Sequence, residues 1–183
     1  MNQKFLFILS LFFCVSIAKG QFANYEPCDF ELNPNSENAY VLNETTLSCL
    51  INQKSKFALY VYAYWCKPCV EELPRIIQFS NENAIDLFVL LISSQDSKYL
   101  LRDYKSLKEL DLNILVLSDE YGRIPGKKRI KHKYKNFLKK YYPNGEVIDD
   151  MSKVIFYADG ELRYVSDWQD GENVMETKIK PLL

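Results

Sequence analysis

Trp65-Cys-Lys-Pro-Cys69 is the stretch that decides how this chain is read. Two cysteines with two residues between them can close a small disulfide ring if the second lies one helical turn beyond the first. The residues before them, Tyr60-Val-Tyr-Ala-Tyr64, are aromatic or small and read as a buried strand. Those after them, from Val70 to Phe79, have helical spacing, with Val70, Leu73, Ile76, Ile77 and Ser80 on one face. Cys66 therefore falls where a strand ends and a helix begins. Free backbone N–H groups and the helix dipole favour a thiolate there. A strand, a Cys-x-x-Cys and a helix in that order read as a redox motif.

Outward from the motif, the chain alternates strands and helices. Ala39–Leu42 is a short strand, and Thr45–Ile51 a single capped helical turn. Phe57–Tyr64 is apolar on both faces, as a central strand should be. The helix from Cys66 carries Pro74, which bends it, and ends at Asn81-Glu-Asn83. Ile85–Ile92 is a second buried strand. Ser97 N-caps a helix with the stripe Tyr99, Leu100, Tyr104, Leu107 and Leu110, and Asn113–Leu117 is a third strand. Such spacing means β-α-β crossovers with parallel pairing. Lys153–Tyr157, the turn Ala158-Asp-Gly160 and Glu161–Ser166 read as a hairpin. Gly171–Leu183 is a closing helix with Val174, Met175 and Ile179 inward.

Composition narrows the class. The 183 residues suffice for one domain with extensions, and 48% hydrophobic with 26% charged residues is ordinary for a globular protein. A net charge of −1 gives no footprint for nucleic acid. At the N-terminus, Lys4 precedes the apolar run Phe5–Ile17, too short to span a bilayer comfortably. Ala18 and Gly20 are small residues placed for a cut before Gln21. Residues 1–20 thus read as a secretory signal peptide, 21–39 as an N-terminal extension and 40–183 as the domain. The expected location is extracytoplasmic, periplasmic or secreted; an uncleaved anchor is the minor alternative.

Cleavage would remove Cys14 and leave Cys28, Cys49, Cys66 and Cys69. An oxidising compartment invites pairing of an even count. With Cys66 and Cys69 paired, Cys28 and Cys49 are left either as a structural staple or as a buried thiol and an unpaired surface thiol. Sequence supplies no Cα separation to decide between them.

The order of elements, with Ala63-Tyr-Trp-Cys-Lys-Pro-Cys-Val-Glu-Glu-Leu-Pro74 at its centre, resembles the thioredoxin-like fold. That implies an α/β domain with a central mixed β-sheet flanked by helices on both faces. Within the fold, residues 40–183 are similar to the secreted TlpA/ResA-like thiol-disulfide oxidoreductases, whose kinked helix Pro74 matches. The resemblance implies Cys66 as exposed nucleophile and Cys69 as buried resolving thiol. It implies Trp65, Lys67 and Pro68 beside the substrate, and proline rather than histidine between the cysteines suggests a reductant. Glu72, one turn past Cys69, would handle protons at the pair; the competing reading is a solvated helix glutamate, as for Glu71. Protein disulfides would be the substrates, a membrane thiol donor would supply electrons, and no cofactor is implied.

Two positions depart from the family pattern. The position six residues before the first cysteine, where cytoplasmic thioredoxins have a buried aspartate, is Tyr60. The cis-proline that faces the disulfide falls on Ser152, preceded by Met151. A non-proline cis bond costs about 2.5–4 kcal/mol, so that peptide is expected to be trans. The substrate groove at Met151 and Ser152 is then altered. An opened metal site is weakly indicated, since two thiolates are half a zinc site and the single histidine, His132, has nothing to place it near Cys66.

The segment 127–140 carries eight Lys or Arg and no acid, with Ile130, Tyr134, Phe137, Leu138 and Tyr141 at helical spacing. A solvated helix is the plain reading. The sharper one is a docking surface, at Lys133, Lys135, Lys139 and Lys140, for an acidic partner or anionic lipid headgroups. The competing function is accordingly a thioredoxin-fold binding protein with weak or no redox turnover. A thiol peroxidase is disfavoured, because Tyr62-Ala-Tyr64 offers no threonine a turn before the cysteine.

Overall fold

The computed structural model describes residues 28–53, 56–95, 97–122, 130–142, 153–167, 170–171 and 173–183. The expected signal peptide, and Met151 and Ser152, lie outside them.

Six strands form one mixed sheet. They are β1 (Ala39–Leu42), β2 (Phe57–Tyr62), β3 (Asp86–Leu91), β4 (Asn113–Leu117), β5 (Val154–Ala158) and β6 (Glu161–Val165). Their spatial order is β1-β4-β3-β2-β5-β6, parallel from β1 to β2 and antiparallel at β5 and β6. The helices are α1 (Glu44–Asn52), α2 (Lys67–Glu82), α3 (Lys98–Leu107) and α4 (Ile130–Tyr141).

The apolar runs of β2 and β3 split by the period-two rule between two cores. Ala58, Tyr60, Tyr62, Val89 and Leu91 face α2, α3 and the closing segment. Phe57, Leu59, Val61, Phe88 and Leu90 face α1 and α4. Phe57 stacks on Tyr157 of β5 with ring centroids 4.7 Å apart, tying the parallel half of the sheet to the hairpin. The hairpin turns through Asp159 (φ 56°) and Gly160 (φ 78°), the two left-handed residues that match the strand twist.

Several boundaries differ from the sequence reading. Asn43 accepts the Thr46 amide at 2.8 Å and starts a nine-residue helix rather than a single turn. The buried face of α2 is Cys69, Glu72, Leu73, Ile76, Phe79 and Ser80, while Val70 is exposed. The inward stripe thus contains the second cysteine and an acid in place of Val70. On α3, Leu100 and Leu107 are buried but Leu110 is exposed beyond the helix end. The closing segment is a wide π turn at Met175–Ile179 followed by a 3-10 turn at Lys180–Leu182, with Val174, Met175 and Ile179 buried as expected.

Residues 28–38 fold back on β1. The Val41 amide donates to Glu31 and the Asn33 amide to Ala39, each at 2.8 Å. Cys28 and Cys49 form a disulfide with Cα atoms 5.6 Å apart, so the staple reading holds. It closes a loop across 21 residues, which corresponds to about 3 kcal/mol of lost chain entropy in the unfolded state. Replacing both cysteines by alanine is expected to lower the Tm by roughly 10 °C, read by calorimetry under oxidising conditions.

Candidate active site

β2 ends at Tyr62, and the chain turns through Ala63, Tyr64 and Trp65 before α2 starts. The Cys66 amide donates to the Ala63 carbonyl at 2.9 Å and closes the turn. Cys66 is the N-cap of α2, the position whose side chain usually caps the helix, and in the disulfide form its sulfur makes no capping hydrogen bond. A capping atom takes the N–H of the second or third helical residue. The second is Pro68, which has none, so the Cys69 amide is the donor on offer to a Cys66 thiolate. Cys66 and Cys69 are joined as a disulfide with Cα atoms 5.2 Å apart. Cys66 is 7% exposed and Cys69 1%, so both are enclosed and the first is the more accessible. Lys67 is exposed and pairs with Glu71 at 3.6 Å across one turn. Trp65 is half-buried and packs against both cores.

Tyr60 replaces the absent aspartate with a different contact. Its hydroxyl, on the buried strand, donates to the Cys69 carbonyl at 2.9 Å. Burial first, and the Glu72 carboxylate second, push the phenol far above its ordinary range, so it stays a donor. The neighbouring Val70 carbonyl has no partner amide four residues on, because that residue is Pro74. Tyr60 therefore anchors α2 where the proline weakens it.

Glu72 is buried, not solvated. One carboxylate oxygen meets Lys153 Nζ at 2.7 Å. The other is buried and has no hydrogen-bond partner among the described residues. Lys153 directly follows the expected cis-proline position and enters β5, its carbonyl accepting from Val61 at 2.8 Å. The pair thus joins the cysteine helix to the strand behind it. Met151 and Ser152, named from sequence as the facing groove, lie outside the described residues.

Asp103 was missed by sequence reasoning. It is fully buried on α3. One oxygen accepts from the Tyr64 amide at 2.8 Å and the other from the Ser93 hydroxyl at 3.0 Å. Burial raises its carboxyl to about 6, against the pull of those two donors. A raised carboxyl means that the folded chain holds a proton the unfolded chain releases. The stabilisation is full below about pH 4 and is lost as pH rises through about 6. Asp103→Asn is therefore expected to stabilise the fold at pH 8 by about 2–3 kcal/mol, with little change at pH 4, measured by urea unfolding.

The basic segment is less free than its composition suggests. Lys133 is buried, 2.6 Å from Asp119 and 3.3 Å from the Ser93 carbonyl. Lys140 pairs with Glu44 of α1 at 2.6 Å. Lys139 and His132 are exposed and Lys135 half-buried. Among the described residues, no group of three His, Cys, Asp or Glu side chains is placed to hold a metal ion. No helix there is long and apolar enough to cross a membrane.

No protein-family model and no curated protein matches the chain. Among solved structures, tryparedoxin II from C. fasciculata is similar over 71% of this chain and 75% of that chain, with 14% identity and a TM-score of 0.40. So distant a likeness assigns no residue a role. The strand order and the site are those of a thioredoxin-like α/β arrangement, with a Cys-x-x-Cys disulfide at a helix N-terminus suited to redox-type chemistry.

Proposed function

We propose that the protein is an extracytoplasmic thiol-disulfide oxidoreductase that reduces disulfides in other proteins. The observation that carries this reading is the Cys66–Cys69 disulfide at the N-terminus of α2, with Cys66 the more accessible sulfur. The Cys66 thiolate attacks one sulfur of a substrate disulfide and expels the other as a thiolate, which takes up a proton. The Cys69 thiolate then attacks Cys66 Sγ, closes the 66–69 disulfide and expels the second substrate sulfur. Two electrons pass to the substrate, and an external dithiol must return the pair to its reduced form. In the TlpA/ResA-like proteins that the sequence resembles, a membrane thiol donor does this. Glu72, buried one turn from Cys69, is the group suited to exchange protons with the resolving thiol.

Proline between the cysteines favours a reductant. The signal-like N-terminus and the Cys28–Cys49 staple support work in an oxidising compartment. Insulin reduction with dithiothreitol tests the reading. Turnover well above the thiol background supports it, and turnover equal to that of Cys66→Ser removes it. An acidic partner at α4 is a separate proposal, for which Lys135 and Lys139 remain the residues to reverse; Lys133 would report folding instead.

A further inference from the structure

Asp103 takes no part in the exchange steps, yet it is built into the frame that holds Cys66. Tyr64, whose amide it binds, lies two residues before Cys66 in the turn closed by the Cys66–Ala63 hydrogen bond. Arg102, next to it on α3, holds the Tyr64 hydroxyl at 3.0 Å. On the far side, Ser93 gives its hydroxyl to Asp103 and its carbonyl to Lys133, which is paired with Asp119. One carboxylate and one serine thus connect the backbone of the attacking turn to the ion pair between buried Lys133 of α4 and half-buried Asp119.

We propose that ionised Asp103 is the positioning residue of the Cys66 turn, and that protonating it loosens the Tyr64 amide and slows thiol exchange. The proposal rests on the redox reading above. An amide bound to a carboxylate makes a charge-assisted hydrogen bond, roughly twice as strong as a neutral one. As a carboxylate, Asp103 offers an acceptor to each donor. When protonated, it must turn one oxygen into a donor, and its bond to Tyr64 becomes neutral.

The groups around Asp103 come from β2 and the turn after it, the end of β3, the 3-10 turn at Asp119, α4 and its own helix. The Tyr64 amide faces its carboxylate from the turn, while Ser106, in contact with the Tyr62 hydroxyl, donates to the Asp103 backbone carbonyl at 2.6 Å and not to the carboxylate. Ser93 faces it from the end of β3. Lys133 and Asp119 stand behind Ser93, and Arg102 on its own helix is turned out toward Tyr64. The two donors favour the charged form and burial opposes it, which sets the transition near pH 6. Holding this buried charge works against stability at neutral pH, so a purely structural role would be served better by asparagine.

The test uses the full chain, its Asp103→Asn variant and Ser93→Ala. Iodoacetamide labelling of reduced Cys66, located by mass, is followed from about pH 4.5 to about 8.5 beside insulin reduction and Tm. In the wild type, the rate per Cys66 thiolate is expected to fall on the acid side of an inflection near about pH 6. Asp103→Asn is expected to lack the inflection, react about tenfold more slowly at pH 8 and melt no lower there. Ser93→Ala removes a donor to the charged form and is expected to move the inflection to higher pH. Labelling of Asp103→Asn at the wild-type rate, an inflection that persists in it, or a slow rate joined to a lower Tm overturns the proposal. A wild type that shows the Asp103-dependent inflection but does not reduce insulin sinks the redox reading and leaves the positioning role standing.

Discussion

Cys66→Ser is expected to cut insulin reduction by on the order of a thousandfold or more, while leaving the fold intact. Serine keeps the size and the N-cap position but offers no thiolate for exchange. Cys69→Ser is expected to fail differently. Its Cys66 can still attack, but nothing is placed to resolve the product, so a mixed disulfide between Cys66 and the substrate should accumulate. Non-reducing electrophoresis with mass spectrometry reads both outcomes. The asymmetry follows from exposure of 7% at Cys66 against 1% at Cys69. A Cys66→Ser variant that traps substrate through Cys69 would reverse the two roles.

Lys153→Met is expected to destabilise the protein at pH 7 by about 2–3 kcal/mol. Removing one partner of a buried pair usually costs about 3–5 kcal/mol; the lower figure applies here because the Lys153 side chain is 28% exposed. The Glu72 oxygen that now meets Lys153 would join one that already has no hydrogen-bond partner among the described residues. Combining Lys153→Met with Glu72→Gln removes the stranded charge and is expected to recover most of the loss, leaving about 1 kcal/mol. Denaturant unfolding of the two single variants and the double variant closes the cycle. Equal losses in Lys153→Met and the double variant would mean that the lysine acts through packing alone.

Both effects depend on residues whose surroundings sequence reveals unequally. The central strands were legible because burial on both faces leaves runs such as Phe57–Tyr62 and Asp86–Leu91 almost wholly apolar, whereas the partly exposed β6 was legible from the Asp159-Gly160 hairpin turn. The redox motif was legible because its spacing is local: three residues fix both sulfurs relative to one helix start. The extent of α1 was less clear: Thr45–Ile51 read as a single capped turn, whereas the helix runs Glu44–Asn52 from its cap at Asn43.

The charged groups inside the protein were harder to see. Asp103 lies between Leu100 and Leu107, Glu72 between Cys69 and Leu73, and Lys133 beside Tyr134 and Phe137, each on the buried face of its helix. The signal was therefore present: an ionisable residue at an inward helical position. Periodicity alone treats such a residue as a gap in the stripe, because what makes its burial tolerable lies far away in sequence. Tyr64 is 39 residues from Asp103, and Lys153 is 81 from Glu72. Tyr60 shows the converse. Its identity suggested only a missing acid, whereas its hydroxyl supports the Cys69 turn.

Equilibration of the full chain with glutathione buffers, read by mass and by tryptophan fluorescence, tests the central claim most directly. One two-electron transition is expected at Cys66–Cys69, near about −270 mV, while Cys28–Cys49 stays oxidised through the same range. A Cys66–Cys69 pair that does not exchange with the buffer would contradict the account, and one poised near about −120 mV would make the protein an oxidant instead.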